Sequence, residues 1–399
     1  VLHDFGSLES VAVYTWEFLN YYTFAYPLAA PDTLELSLDL EALDDATGYR
    51  LQIGVSSPPA TQAPMNLALV IDDSCSMTGA PMETVKDFGR AVAAALHEGD
   101  ILSLVTWNAA QTVVLRAHNV TGPDDPVILS ALAGMGTGGS TNLSAGLESG
   151  YDLLESHFAP GLVNRLLLVS DGGANTGVTD EELIGAAAGD EDEDGIYLVG
   201  VGIADPGTYQ PVLLDRVTDL GKGASVFVPD EAEARKMFTE RFASTVGIAA
   251  RDVQIRLDLP PGFTLVRTSA EEVSTDPEAV RPQHLSPDDA MVLHQTVSSA
   301  CPDPDPSLPV TVAVTWLDPI TFEPREASTT STLGELLAQD HTLLRKGAAI
   351  VAYADALKAA RDGGQSDALS VARTLWDDAA ELAPGDADLA EIDSVLDAL

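Results

Sequence analysis

Apolar positions follow three different periods along this chain, and each period predicts a different kind of structure. From residue 33 to 57 they alternate with polar ones. Leu34, Leu36 and Leu38 precede a DDATG turn at 44–48, and Leu51, Ile53 and Val55 follow it. A period of two on both sides of a turn predicts a β-hairpin. From 65 to about 247 the apolar runs become continuous. Residues 67–71 carry no charge and end abruptly in Asp72, Asp73, Ser74, Cys75 and Ser76. Such a run, closed by turn-forming residues, predicts a strand buried on both faces of a parallel sheet. Further strands are predicted at 101–107, 112–116, 165–170, 196–201 and 225–228. Helices are predicted at 81–97, 126–133, 143–158, 180–188, 209–220 and 231–246. The strands at 101–107 and 112–116 are joined by turn residues and read as a hairpin, so one edge is antiparallel. Strands separated by helical crossovers predict a doubly wound, mostly parallel sheet of the α/β class with helices on both faces.

After 250 alternation returns at Val253, Ile255, Leu257 and Leu259, ahead of a PPG turn beginning at Pro260, and again at 290–297 and 310–317. This is antiparallel β patterning, like the first hairpin. The α/β domain, 65–247, therefore reads as an insertion into a β-sandwich-like domain built from both flanks, 32–64 and 248–331. Residues 332–399 have helical periodicity broken at 362–365 and 384–385, which predicts about three helices. Residues 1–31 contain Val13, Trp16, Phe18, Leu19, Tyr21 and Tyr22 at spacings that include i, i+3. They predict a helix over about 8–22 that docks on the body of the protein.

Charge narrows the partners. The 399 residues carry 62 acidic side chains against 20 basic ones, a net charge of -42. Phosphate binding needs a Lys/Arg footprint and none is visible, so neither nucleic acid nor an anionic membrane surface is the expected partner. No uncharged run approaches the ~18 residues of a membrane span. The first residues do not read as a signal peptide. The chain starts at Val1 without Met, so this says nothing about its compartment. Two cysteines, Cys75 and Cys301, set no disulfide framework, and seven scattered histidines lack zinc spacing.

The chemistry concentrates where the run 67–71 ends. Ligands of open α/β sheets bind at the carboxyl ends of the strands. Asp72, Ser74 and Ser76 alternate there as one carboxylate and two hydroxyls, a partial oxygen cage for a hard cation. Two more carboxyl-end loops can complete it. The glycine-rich GMGTGGSTNLSAG, 134–146, places Thr141 ahead of a helix, and the strand at 165–170 ends in Asp171. Five oxygen side chains on three loops, with two acids behind neutral hydroxyls, suit Mg2+, and leave a position for an acidic group from outside.

The set Asp72-x-Ser74-x-Ser76, Thr141 in GGSTN and Asp171 in VSDGG resembles the metal-ion-dependent adhesion site of von Willebrand factor A domains, over about residues 65–247. The segments EFLNYY, AYP, NRLLLVSDGGANTGVTDEEL, EARKMF, AARDVQIRL and RKGAAIVAYADALK extend the resemblance. They resemble a bacterial subgroup with extra N- and C-terminal regions, akin to inter-α-trypsin inhibitor heavy chains. The resemblance implies direct metal contacts from Ser74 and Ser76, and from Thr141 in the ligand-competent state. It implies contacts mainly through water from Asp72 and Asp171, and a partner protein's Asp or Glu completing the shell. Mg2+ is the implied cation, with Ca2+ and Mn2+ as the other hard ions such a shell admits. It further implies an adhesion or assembly module outside the cytoplasm, without enzymatic activity. The alternative is a structural scaffold whose metal site is vestigial or merely stabilising. Two positions depart from the pattern. Cys75 stands where Gly is common, and Asp73, where apolar residues are frequent, is expected to face solvent.

Other signals carry less. GDEDEDG at 189–195 opens like an EF-hand loop, but its twelfth position is Val201. It reads as a solvated loop. Asn119-Val120-Thr121 and Asn142-Leu143-Ser144 match glycosylation acceptors, the second beside the expected metal. A serine nucleophile would need a base, and no His lies near the three loops in sequence. The 134–139 glycines lack the GK[ST] of a phosphate-binding loop.

Overall fold

The computed structural model describes residues 13–45, 47–60, 64–158, 162–172, 196–204, 214, 217–218, 225–276, 279–280, 283–364 and 366–399. The expected helix at 180–188, most of that at 209–220, the acidic loop 189–195 and the start of the N-terminal helix lie outside them. The chain divides into two compact units. One contains the residues up to Pro59 together with Ile248–Leu399, and the other is Ala60–Gly247.

A helix, Thr15–Tyr21, is followed by the hairpin β1 (Glu35–Ala42) and β2 (Gly48–Ser56). The second unit then contributes β3 (Met65–Asp72), β4 (Ile101–Trp107), β5 (Gln111–Asn119), β6 (Val163–Ser170), β7 (Tyr197–Gly202) and β8 (Ser225–Phe227). Their order across the sheet is β5-β4-β3-β6-β7-β8, parallel throughout except for β5. The uncharged run of β3 explains its central place. Leu67, Leu69 and Ile71 pack with Val85, Phe88 and Val92 of helix Ala80–Ala95. Ala68 and Val70 pack with Leu147, Tyr151 and Leu154 of helix Leu143–Glu155. Side chains of a strand alternate between faces, so only a run apolar at every position can be covered on both. The chain goes from β3 to β4 on one side and later reaches β6 on the other. The topology therefore reverses at β3, where a doubly wound sheet opens a crevice at its carboxyl end.

The expected single helix at 231–246 is instead three pieces: Glu231–Arg235, a π turn Lys236–Glu240, and Phe242–Val246. Its buried apolar residues are Ala234, Phe238, Phe242 and Val246, each four apart. An α-helix advances 3.6 residues per turn, so a four-residue spacing drifts round its surface. One wider turn absorbs that drift and keeps the stripe on the core. Phe238 meets Phe88 edge-on, with centroids 4.7 Å apart.

The first unit completes two antiparallel sheets with β9 (Ala250–Asp258), β10 (Phe263–Thr268), β11 (Gln283–Leu285), β12 (Ala290–Ser299), β13 (Pro309–Leu317) and β14 (Pro324–Thr332). The orders are β1-β2-β12-β10 and β11-β9-β13-β14. Leu51, Ile53 and Val55 share one core with Val253, Val312 and Val314. Neither β10, β11 nor β14 is expected from the pattern. β14 reads PREASTTST, with no apolar alternation. It forms because it pairs with β13 from Pro309↔Thr332 to Leu317↔Pro324. After the short helix Leu333–Leu336 come helices Thr342–Arg361, Ser366–Leu382 and Ala387–Ala398. Leu19, Tyr22 and Phe24 of the aromatic N-terminal segment pack with Ile350, Tyr353 and Ala354 of the first of these three. None of the described helices is long and apolar enough to cross a membrane.

Candidate metal centre

Asp72 is the last residue of the central strand and is fully buried. Its Oδ1 accepts a hydrogen bond from the Ser74 backbone N–H at 2.9 Å, and its Oδ2 accepts one from the Ser170 hydroxyl at 3.0 Å. The first bond curls the chain out of the strand into a short 3-10 turn, Cys75–Met77. Ser74 is buried and Ser76 exposed, with their hydroxyl oxygens 3.0 Å apart. Thr141 is buried in the loop before helix Leu143–Glu155. Backbone bonds hold that loop against the first one. Cys75 N–H donates to Gly139 O at 3.3 Å, and Gly138 N–H to Asp73 O at 2.8 Å. Asp171, nearly buried, follows β6 directly. The five expected residues therefore lie at the end of the central strand or on loops at that end of the sheet, at its switch point.

The electrostatics fit a cation. Burial pushes the Asp72 carboxyl up to about 7; the Asp171 carboxylate adds to this, and hydrogen bonds from Ser74 and Ser170 oppose it. Among the described residues no ion pair forms to Asp72. A buried carboxylate in the field of a second one gains from a positive charge placed before both. The hydroxyls suit an octahedral ion. Mg2+ holds oxygens at 2.0–2.1 Å, so neighbouring ligands of its octahedron lie about 2.9 Å apart. The Ser74 and Ser76 hydroxyls share a hydrogen bond at 3.0 Å, a spacing that two neighbouring ligands of such an ion could keep. Among the described residues no group of three or more His, Cys, Asp and Glu side chains is placed to hold a metal. The donor set here is two acids and three hydroxyls, which is hard-cation chemistry rather than a zinc or soft-metal site.

One expectation is corrected. Asp73 does not simply face solvent; it is half-buried. Its Oδ1 accepts from Asn108 Nδ2 at 2.8 Å, and its own N–H donates to Trp107 O at 3.0 Å. Burial raises its pKa, against hydrogen bonds from Thr106 and Asn108. Cys75 is exposed and free, as is Cys301. Two supporting residues escape the sequence reading. Ser170 orients Asp72 from the next strand. Asn108 holds Asp73 with its side chain and accepts the Asn142 N–H at 2.8 Å with its backbone O, tying β4 to the Thr141 loop. Ser170 lies beside Asp171 in the motif and was within reach. Asn108 sits in a hairpin turn with no chemical signature.

Residues 66–240 match the family model of the von Willebrand factor type A domain. The chain is 25% identical over 224 residues to the uncharacterized protein YfbK of Escherichia coli strain K12, covering 56% of this chain and 38% of that one. It is 26% identical over 202 residues to the uncharacterized protein sll0103 of Synechocystis, covering 50% of this chain and 46% of that one. The chain spans less than half the length of these curated relatives. Among solved structures, a von Willebrand factor type A protein from Catenulispora acidiphila covers 90% of this chain and 89% of its own, with a TM-score of 0.58 and 17% identity. That likeness concerns the fold, and it extends over both units.

Proposed function

Because residues 66–240 form a von Willebrand factor type A domain, we propose that this chain is a metal-ion-dependent protein-binding module. A Mg2+ held by Asp72, Ser74, Ser76, Thr141 and Asp171 would offer a partner's Asp or Glu carboxylate an electrophilic position. The observation that carries this reading is the convergence of two buried carboxylates and three hydroxyls on three loops at the switch point. In this reading the Ser74 and Ser76 hydroxyls are neutral ligands, so the acids do not cancel the ion's attraction for an incoming carboxylate. Asp72 and Asp171 supply charge from behind, and the bonds from Ser74 N–H and Ser170 keep Asp72 aimed. Thr141 joins from a second loop, which the Cys75–Gly139 and Gly138–Asp73 backbone bonds tie to the first. Binding rather than catalysis is proposed, and an extracytoplasmic place accords with an adhesion or assembly role.

Isothermal titration tests the metal. The wild-type protein is expected to bind one Mg2+, and Asp72→Asn to weaken it by about 10–100-fold. Equal heats in both would remove the centre from consideration. A crosslinked pull-down from the native source, with and without EDTA, tests the partner. Asp72 also accepts hydrogen bonds from Ser74 N–H and Ser170, and the second choice is a structural scaffold whose metal site is vestigial or merely stabilising. An EDTA-lowered melting temperature with unchanged partner capture would select it.

A further inference from the structure

A cavity of about 350 Å³ lies beside the metal loop, between the β4–β5 hairpin and the end of helix Pro126–Ala133. Asp73, Thr106, Val114 and Met135 line it, together with Ser130, Ala131, Gly134 and Gly136 at and beyond the helix C-terminus. Its walls are mostly aliphatic or backbone. Thr106 and Ser130 bring neutral hydroxyls to the lining, and its one charged group is the Asp73 carboxylate. The Asp73 carboxylate accepts from Asn108 and Thr106, and a carboxylate accepts about four hydrogen bonds, so capacity for a further donor remains. The helix ends there with its partial negative charge, and Gly134 caps it by donating to Ser130 O at 3.2 Å. Aliphatic walls with a negative end match a slender aliphatic stem carrying a cationic head, which is a lysine or arginine side chain. The net charge of -42 adds long-range attraction for such a group.

We propose that this cavity is a binding site for a Lys or Arg side chain of the same partner segment whose carboxylate meets the metal. Asp73 stands between Asp72 and Ser74 in the chain, and consecutive Cα atoms are only about 3.8 Å apart, so the acidic wall of the cavity adjoins the centre. The recognised element is then a basic and an acidic residue together. This rests on the metal–carboxylate reading above, but the cavity can be tested apart from it.

The first arm uses n-butylguanidinium in EDTA, followed by the methyl resonances of Val114 and Met135. Saturable shifts are expected, and they should vanish in Asp73→Asn, which retains an acceptor for Asn108, and in Val114→Lys, which places an ammonium at the mouth. Equal shifts from n-butanol, or persistence in both variants, would overturn the proposal whatever the metal does. The second arm compares peptides holding Asp with either Arg or norleucine at varied spacing, in Mg2+. Arg is expected to bind about tenfold tighter, and only while Asp73 is present. Equal affinity overturns the two-point proposal. If the guanidinium binds but no Asp peptide shows Mg2+-dependent affinity, the metal–carboxylate reading fails and the two-point element fails with it, while the cation site stands.

Discussion

Gly347→Ala is expected to destabilise the protein, although glycine inside a helix normally weakens it. Gly347 lies in helix Thr342–Arg361. A Cβ there would sit 1.9 Å from Gln52 Oε1, 2.9 Å from Gln52 Cδ and 3.2 Å from His294 Nδ1. Gln52 and His294 are directly paired across β2 and β12, and both are buried. The Gln52 amide donates to Tyr26 Oη and Leu343 O, each at 2.8 Å, and its Oε1 is 3.0 Å from His294 Nδ1. Since Oε1 can only accept, Nδ1 carries the proton. Room for a methyl exists only if the amide leaves, and with it go three buried hydrogen bonds. Each group left unpaired costs roughly 1–3 kcal/mol, so the loss is about 4 kcal/mol or more. The helix gains about 1 kcal/mol from replacing glycine. The net expectation is about 3 kcal/mol of destabilisation, read from urea unfolding with far-ultraviolet circular dichroism. Gln52→Ala makes room, so the double variant should be more stable than the sum of the two losses requires. A Gly347→Ala protein as stable as wild type, or additivity in the cycle, would refute this account of the network.

Two further outcomes follow from buried groups. Burial first, then the charges of Arg50 and Arg267, hold the His294 imidazole down to about 3. In the unfolded chain it titrates near 6.5. The folded state thus refuses a proton that the unfolded state accepts, so this contribution is intact above about pH 6.5. It falls by about 1.4 kcal/mol per unit as pH drops towards the folded value. His294→Asn should show a shallower loss between pH 7 and pH 5 in chemical unfolding; an unchanged slope would rule out His294 as its source. At the other unit, a Cβ on Gly146 would lie 2.6 Å from the Trp107 ring. Trp107 is fully buried and accepts the Asp73 N–H. Gly146→Ala should therefore cost about 2 kcal/mol from overpacking and weaken Mg2+ binding in calorimetry. Unchanged binding would mean that the strain stops short of the loop.

The sheet, and the placing of the five candidate residues at one end of it, were legible because their signals are local. The uncharged run of β3 reports two-sided burial within a few residues, and an oxygen cage on one loop reports itself through alternation. Thr141 and Asp171 needed only one topological step, the placing of carboxyl-end loops at a switch point. What escaped depends on distant neighbours. β14 has no periodicity of its own and exists through its pairing with β13. The Gln52–His294 contact joins residues 242 apart. Asp73 looked like a solvent-facing acid because nothing near it in sequence announces Asn108.

Asp72 shows why fold and site were readable from the same stretch. A parallel strand at the centre of a doubly wound sheet can be apolar along its length, but it must end in a loop that meets water or a ligand. Placing a carboxylate on the last strand position buries it, and burial of a charge is tolerated only with hydrogen bonds or an opposite charge. Ser74 N–H and Ser170 supply the first. Each bond uses one carboxylate oxygen, leaving lone pairs on both that a cation or its water can use. The cost of burying Asp72 is thus met in part by the protein, and in the proposed reading a bound cation would meet the rest. Removing Ser170 is accordingly expected to weaken the proposed metal binding as well as the fold, although Ser170 is not among the five candidate ligands. Ser170→Ala is expected to lower Mg2+ affinity by about 10-fold, as an orienting partner does, and an affinity equal to wild type would show that Asp72 is aimed by the Ser74 N–H alone.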